Sequence, residues 1–144
     1  RENVFLNGSV LGFSREFMRA KFDEIIEFSE LEKFVDVPIK NFSSGMVARI
    51  GFAVATIVKP DILICDEILS VGDYRFQEKC ERRIQQLMSD GTTVILVSHS
   101  IQQVERMCNH ILWLERGRMK AIGGKELIPL YQPDFKRVRA KDEV

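Results

Sequence analysis

A short apolar run that ends in two carboxylates is the part of this sequence best suited to chemistry. Ile62-Leu63-Ile64-Cys65 is followed at once by Asp66 and Glu67. Desolvated carboxylates are costly without a partner, and at the C-terminal edge of a parallel sheet a divalent cation supplies one. Neighbouring side chains at a strand end point in different directions, so two roles are available. Asp66 is placed to hold a Mg²⁺ ion, and Glu67 to orient and deprotonate a water for in-line attack on a γ-phosphate. The alternative is a strand that closes in a solvated acidic turn. These residues alone leave both readings open.

Two more stretches hold candidate groups. Ser43-Ser44-Gly45 opens an apolar helix, where free backbone N–H groups, two hydroxyls and a residue without a side chain make an anion site. The competing reading is a well-capped helix. His99 lies in Val97-Ser98-His99-Ser100, at the end of the next expected strand. A lone histidine there commonly has a structural role, yet a strand–helix–strand unit would carry it to the same sheet edge as Asp66 and Glu67. At that edge it could hydrogen-bond a phosphate or a carboxylate.

The elements that must position these groups follow from spacing. Ser14 is a helix cap before Phe17, Met18, Phe22, Ile25 and Ile26, which recur at helical period to about Ser29. Ser29-Glu30-Leu31-Glu32 has the form of a capping box that opens a second short helix through Phe34. After a loop with Pro38 and Asn41, the segment from Met46 to Val58 is apolar on nearly every side, which predicts a buried helix stopped by Lys59-Pro60. Ile62–Cys65 reads as a strand covered on both faces. Asp73 caps a helix whose inner side is Phe76, Cys80, Ile84, Leu87 and Met88. Thr93–Val97 is a second strand, which makes a right-handed crossover and a parallel sheet. Ser100 caps a helix through Cys108. Ile111–Leu114 and Arg118–Ile122 form a hairpin about Glu115-Arg116-Gly117, and a short helix spans Lys125–Tyr131. The tail from Gln132 to Val144 is charged.

Composition narrows the class. Of 144 residues, 45% are hydrophobic, enough for the core of one domain. Twenty-one basic side chains balance 21 acidic ones, so no global field draws the chain to nucleic acid or an anionic membrane. Cys65, Cys80 and Cys108 are isolated in apolar stretches, which indicates reduced, buried thiols. No apolar run approaches the roughly 20 residues that span a bilayer. The chain starts at Arg1 and reads as though a front portion preceded it.

Taken in order, the motifs resemble those of the ATP-binding cassette family over residues 2–131. Phe42-Ser43-Ser44-Gly45-Met46 stands where that family has its signature motif, and Ile62–Glu67 is similar to its Walker B strand and catalytic glutamate. Ser70-Val71-Gly72-Asp73 resembles its D-loop, and His99 its switch histidine. Glu2-Asn3-Val4, Leu6-Asn7-Gly8, Lys21-Phe22-Asp23-Glu24, Phe76-Gln77 and Cys80 further resemble ATPase subunits of bacterial exporters of O-antigen, capsule or teichoic acid. The Ser-Ser-Gly-Met form departs from the commoner Ser-Gly-Gly-Gln and points to the same subgroup.

The resemblance implies an α/β fold of the P-loop NTPase type in partial form, a parallel sheet with flanking helices plus a helical subdomain. Residues 1–60 would be the helical subdomain and signature helix, 61–131 the remnant of the catalytic core, and 132–144 the tail. It implies ATP and Mg²⁺ as ligands. Asp66 would serve the metal, Glu67 and His99 catalysis, and Ser43, Ser44, Gly45, Met46 and Asp73 nucleotide contacts. It also implies a head-to-tail ATPase dimer, a permease touching residues 1–42, and a peripheral position on the cytoplasmic face of the membrane. No nucleic-acid partner is expected.

The G-x-x-x-x-G-K-[ST] loop that grips phosphates is not among these residues. The sole Gly-Lys pair, Gly124-Lys125, continues with Glu126 and has Met119 where the first glycine would stand. The chain alone is therefore expected to lack ATPase activity, and its apolar sheet edges and faces to favour aggregation. Two other classes stay open: a shortened, non-catalytic relative that dimerises or regulates, and a cassette ATPase unrelated to transport.

Overall fold

In this computed structural model, residues 1–67 and 72–131 are described. Three helices build the first part of the chain: α1 (Glu2–Val10), α2 (Arg15–Ser29) and α3 (Ser44–Ala55). Ser14 caps α2 as expected, its Oγ accepting from the Phe17 amide at 3.1 Å. The separate helix α1 was not anticipated as an element of its own. It approaches α2 closely at Gly8, where a Cβ would lie 2.4 Å from the Met18 sulfur. Val4, Met18, Ile25, Ile26, Leu31, Ile50, Ala53 and Val54 close one core between the three helices.

Two local expectations are corrected here. The capping box at Ser29 does not form. Ser29 is the last, fully buried residue of α2, and its hydroxyl donates back to the Ile26 carbonyl at 2.9 Å. With its hydroxyl turned back onto its own helix, Ser29 stays the last residue of α2, and the residue that precedes the next turn is Leu31. The chain turns instead through Glu30 at φ 58, in the left-handed region, into a three-residue 3₁₀ turn, Glu32–Phe34, with no side-chain cap. Helix α3 also stops at Ala55, short of Val58. Thr56, at the C-cap, is buried and its Oγ1 donates to the Phe52 carbonyl at 2.8 Å.

Strands β1 (Ile62–Asp66) and β2 (Thr93–Val97) pair and are joined by α4 (Tyr74–Ser89). A helix between hydrogen-bonded neighbours is the parallel connection, in line with the expected sheet. The Thr93 amide donates to the Asp61 carbonyl at 2.9 Å where the two strands start together. Helix α4 turns Phe76, Cys80, Ile84 and Leu87 inward, and Cys65 of β1 is buried. The expectation that β1 is covered on both faces is corrected: Ile62 and Ile64 are 60% and 67% exposed. Side chains alternate across a strand, so a helix on one side hides every second residue and leaves the others bare unless another layer lies over them.

By contacts the chain separates into two compact units, Arg1–Ile95 and Leu96–Val144, a division inside β2. The second unit holds α5 (Ile101–Met107), the hairpin strands β3 (Ile111–Glu115) and β4 (Arg118–Gly123), a 3₁₀ turn at Lys125–Leu127, and α6 (Ile128–Tyr131). The hairpin is antiparallel and pairs Leu112 with Ile122 and Glu115 with Arg118, with a bulge after Trp113. Trp113 meets the Tyr131 ring edge-on at 5.3 Å, and Lys120 lies over the indole at 4.4 Å. No helix among the described residues is long and apolar enough to cross a membrane.

Candidate functional site

Ser43 is the N-cap of α3, and its Oγ accepts from the Met46 amide at 3.2 Å. The first amides of a helix have no acceptor within it, and here they lie at an end where Ser43 and Ser44 are exposed. Gly45 is informative because packing does not demand it. A Cβ there would meet nothing nearer than the Ser43 Oγ at 3.8 Å. A glycine with open space before it suits a helix end that another group approaches closely.

Asp66 closes β1, and Glu67 follows it with φ 50. Among the described residues, Glu30, Glu67 and Arg116 are the non-glycine residues in this left-handed region, which costs about 1–2 kcal/mol per residue. At Glu67 the twist bends the chain off the strand end as soon as the carboxylates have been presented. Both side chains are exposed. The following residues up to Val71 lie outside the described part, and with them Ser70 and Val71 of the D-loop-like stretch.

The other end of that stretch is held firmly. Gly72, at φ 89, leads into Asp73, the N-cap of α4. Asp73 Oδ1 accepts from the Phe76 amide at 3.0 Å, and Oδ2 accepts from Arg49 at 2.7 Å. The Phe76 amide first, and then Arg49, hold this carboxyl below its ordinary range. The second branch of Arg49 donates to Glu30 at 2.9 Å, and its guanidinium lies 4.3 Å over the Phe76 ring. Glu30 also accepts from Lys79 at 3.1 Å, and this bond with that of Arg49 keeps its carboxyl low.

Sequence reasoning missed Arg49, Glu30 and Lys79. A signal existed for the first. Arg49 is a lone charge in an apolar helix, and such a charge needs anionic partners.

His99 belongs to the second unit, in the turn between β2 and α5, and is exposed. Its flanking serines shape that turn. Ser98 Oγ donates to Gln103 Oε1 at 2.9 Å and accepts from the Ser100 amide at 3.0 Å, while Ser100 caps α5. Within the first unit, then, the start of α3 and the start of α4 are tied together. His99 belongs to the second unit.

Two further expectations bear on other residues. Cys65 and Cys80 are buried free thiols, and burial pushes their pKa up to about 11 and about 12, whereas Cys108, expected to be buried as well, is a free thiol only half-buried. Gly124-Lys125 is no phosphate loop: the Gly124 amide donates to the Glu126 carboxylate at 2.6 Å. Among the described residues, no group of three or more His, Cys, Asp or Glu side chains is gathered for a metal. This donor set still fits Mg²⁺, which is commonly held by one or two carboxylates together with substrate phosphates.

Over 133 residues the chain is 47% identical to the O-antigen export system ATP-binding protein RfbB of Klebsiella pneumoniae, covering 92% of this chain and 54% of that one. It is 40% identical over 147 residues to the teichoic acids export ATP-binding protein TagH of Lactococcus lactis, covering 99% of this chain and 32% of that one. The chain thus spans about half of the first relative and about a third of the second. An ATP-binding subunit of an ABC transporter superposes with a TM-score of 0.76 at 23% identity, over 90% of this chain and 54% of that one, which establishes the fold. A dimeric ATP-binding cassette in a post-hydrolysis state, bound to ADP and Pi, gives 0.66 at 25% identity, over 78% and 49%. No protein-family profile matches.

Proposed function

We propose, from its similarity in sequence and fold to ATP-binding cassette ATPases, that the chain is the catalytic and capping portion of an ATP-hydrolysing export subunit. The observation that carries this reading is the pair Asp66-Glu67, presented at a strand end with Glu67 in a left-handed backbone conformation. Asp66 holds Mg²⁺, which when bound neutralises phosphate charge. Glu67 orients the attacking water and takes its proton, and His99 hydrogen-bonds the γ-phosphate from the turn after β2. Ser43, Ser44, Gly45 and Met46 offer the start of α3 to the nucleotide held by a second copy, head to tail. Asp73 adds a nucleotide contact from the N-cap of α4.

Residues 1–60 act as the helical subdomain and signature helix, of which residues 1–42 receive a permease, and 61–131 as the core portion that does the chemistry. The cargo is a bacterial surface polysaccharide of the O-antigen, capsule or teichoic-acid kind, and the subunit works at the cytoplasmic face of the membrane. These 144 residues contain the water-activating group without a phosphate-gripping loop, so by themselves they do not hydrolyse ATP.

The test is turnover in the complete gene product and in the isolated chain. In the complete protein, Glu67→Gln lowers kcat by about 10²–10⁴-fold while ATP-dependent dimers persist. The isolated 144 residues show no ATPase above background. A Glu67→Gln protein that turns over at the parental rate would remove Glu67 from its role.

A further inference from the structure

Arg49 joins three helices at a single point. Its stem leaves the second turn of α3, and its fork reaches Glu30 at the C-cap of α2 and Asp73 at the N-cap of α4. The guanidinium also lies over the ring of Phe76, the first inward residue of α4. Gly72 lies beside it: a Cβ there would sit 3.3 Å from Phe76 and 3.7 Å from the Arg49 Nε. Gln77 reaches back to the Gly72 carbonyl at 3.3 Å, and Lys79 fixes the far oxygen of Glu30. The Arg49 side chain is 15% exposed, whereas those of its partners Glu30 and Asp73 are 48% and 64% exposed.

This arrangement specifies geometry more than it adds stability. Ion pairs with exposed carboxylates contribute little to folding, about 0–1 kcal/mol each. A planar guanidinium that accepts only one orientation for two carboxylates is a different device. It sets where Gly72-Asp73 stands relative to α3, and α3 begins at Ser43. Gly72-Asp73 is thus anchored to the helix that presents Ser43–Met46.

We infer that Arg49 is a positioning residue, a clasp that holds Gly72-Asp73, at the N-cap of α4, in register with α3 and so with Ser43–Met46 at its start. A shift at either of these two functional stretches is then felt at the other. The inference rests on the reading of Asp73 and Ser43–Met46 given above, and it deepens that reading by naming the residue that couples them.

The experiment has two arms on the complete protein, with Arg49→Met, Arg49→Lys and Asp73→Asn. Methionine keeps the stem against Phe76 and removes the fork; lysine keeps the charge and one pair. In the first arm, amide hydrogen exchange at Phe76 and Gln77 accelerates about ten-fold in Arg49→Met and less in Arg49→Lys, in line with the loss of charge-assisted bonds. Arg82→Gln, which removes only a local pair with Glu78 on the same helix, leaves exchange unchanged. In the second arm, Arg49→Met lowers kcat about ten-fold with KM for ATP within about twofold. Combined with Asp73→Asn it costs no more than either change alone, as expected of coupled partners.

Unchanged exchange in Arg49→Met overturns the clasp. Faster exchange with unaltered kcat overturns the positioning role. If Arg49→Met does not fold, Arg49→Lys and Asp73→Asn are judged by the same two criteria. A parental protein without ATPase activity would sink the functional reading instead, and the exchange arm would still decide whether the clasp exists.

Discussion

The helices at the start of the chain and the β1–β2 sheet bury the same kinds of residue to opposite degrees. Ile25, on α2, is completely buried, while Ile64, on β1, is 67% exposed. Three helices can wrap one core, because each presents an apolar stripe and the stripes converge. Two strands have two faces, and one helix layer covers one of them. Hydrophobicity alone therefore does not say what an isoleucine contributes here. The layer above it does.

Truncation of each isoleucine tests this contrast in the 144-residue chain. Ile25→Ala should cost about 2–5 kcal/mol, the range for a buried aliphatic truncated to alanine. Ile64→Ala should cost less than about 0.5 kcal/mol. Denaturant unfolding measures both, and equal losses would break the comparison.

A smaller effect sharpens it at the edge of the helical core, where α3 begins. Ser43→Ala removes the bond to the Met46 amide and should cost about 1 kcal/mol, against a few tenths for Ser43→Gly. A loss as large as that of Ile25→Ala would mean that Ser43 supports the core rather than only the helix end.

The smallest effects are read from pH. Glu30 and Asp73, at the helix joint, have carboxyls held below their ordinary 4.5 and 3.8. The folded state binds fewer protons there than the unfolded one. Their stabilisation is therefore present above those values and is lost as pH falls through the lower folded pKa values. Cys65 and Cys80, between β1 and α4, behave oppositely. Their thiols are raised from 9.0 to about 11 and about 12, so stability is intact below 9.0 and falls as pH rises through that window. Thermal melts across pH should show an acid limb flattened in Glu30→Gln/Asp73→Asn and an alkaline limb flattened in Cys80→Ala. An acid limb unaltered in the double variant would deny the joint its ionic character.

Much of the fold was legible in the sequence because its signals are local. Ser14, Ser43, Asp73 and Ser100 each cap the helix that follows by accepting an amide three residues on. Such a bond needs nothing beyond its own turn. The crossover and the hairpin were legible for the same reason: the apolar period changes from helical to strand spacing between turn residues. Ser29 misled because two local positions were open to it, the last residue of α2 with its hydroxyl turned back onto Ile26 and the cap of the next turn. Burial at the end of α2 chose the first, and sequence spacing carries no record of burial. Of the candidate site, the identities of Asp66, Glu67, His99 and Ser43–Met46 were legible; the left-handed turn at Glu67 was not.

What the sequence determined by itself is the chemistry on offer: adjacent carboxylates after an apolar strand, a capped helix start with an open glycine, and a histidine after the next strand. Side-chain type and short-range spacing suffice for that. What only the tertiary structure decided is how the helix that begins at Ser43 is tied to the N-cap of α4. Arg49 finds Glu30 19 residues before it and Asp73 24 residues after it, and no local pattern selects those partners. The packing of α3 against α2 carries Arg49 to Glu30, and the placement of α4 brings in Asp73. A guanidinium with rigidly spread donors then fixes the distance between two carboxylates that the chain itself leaves undetermined.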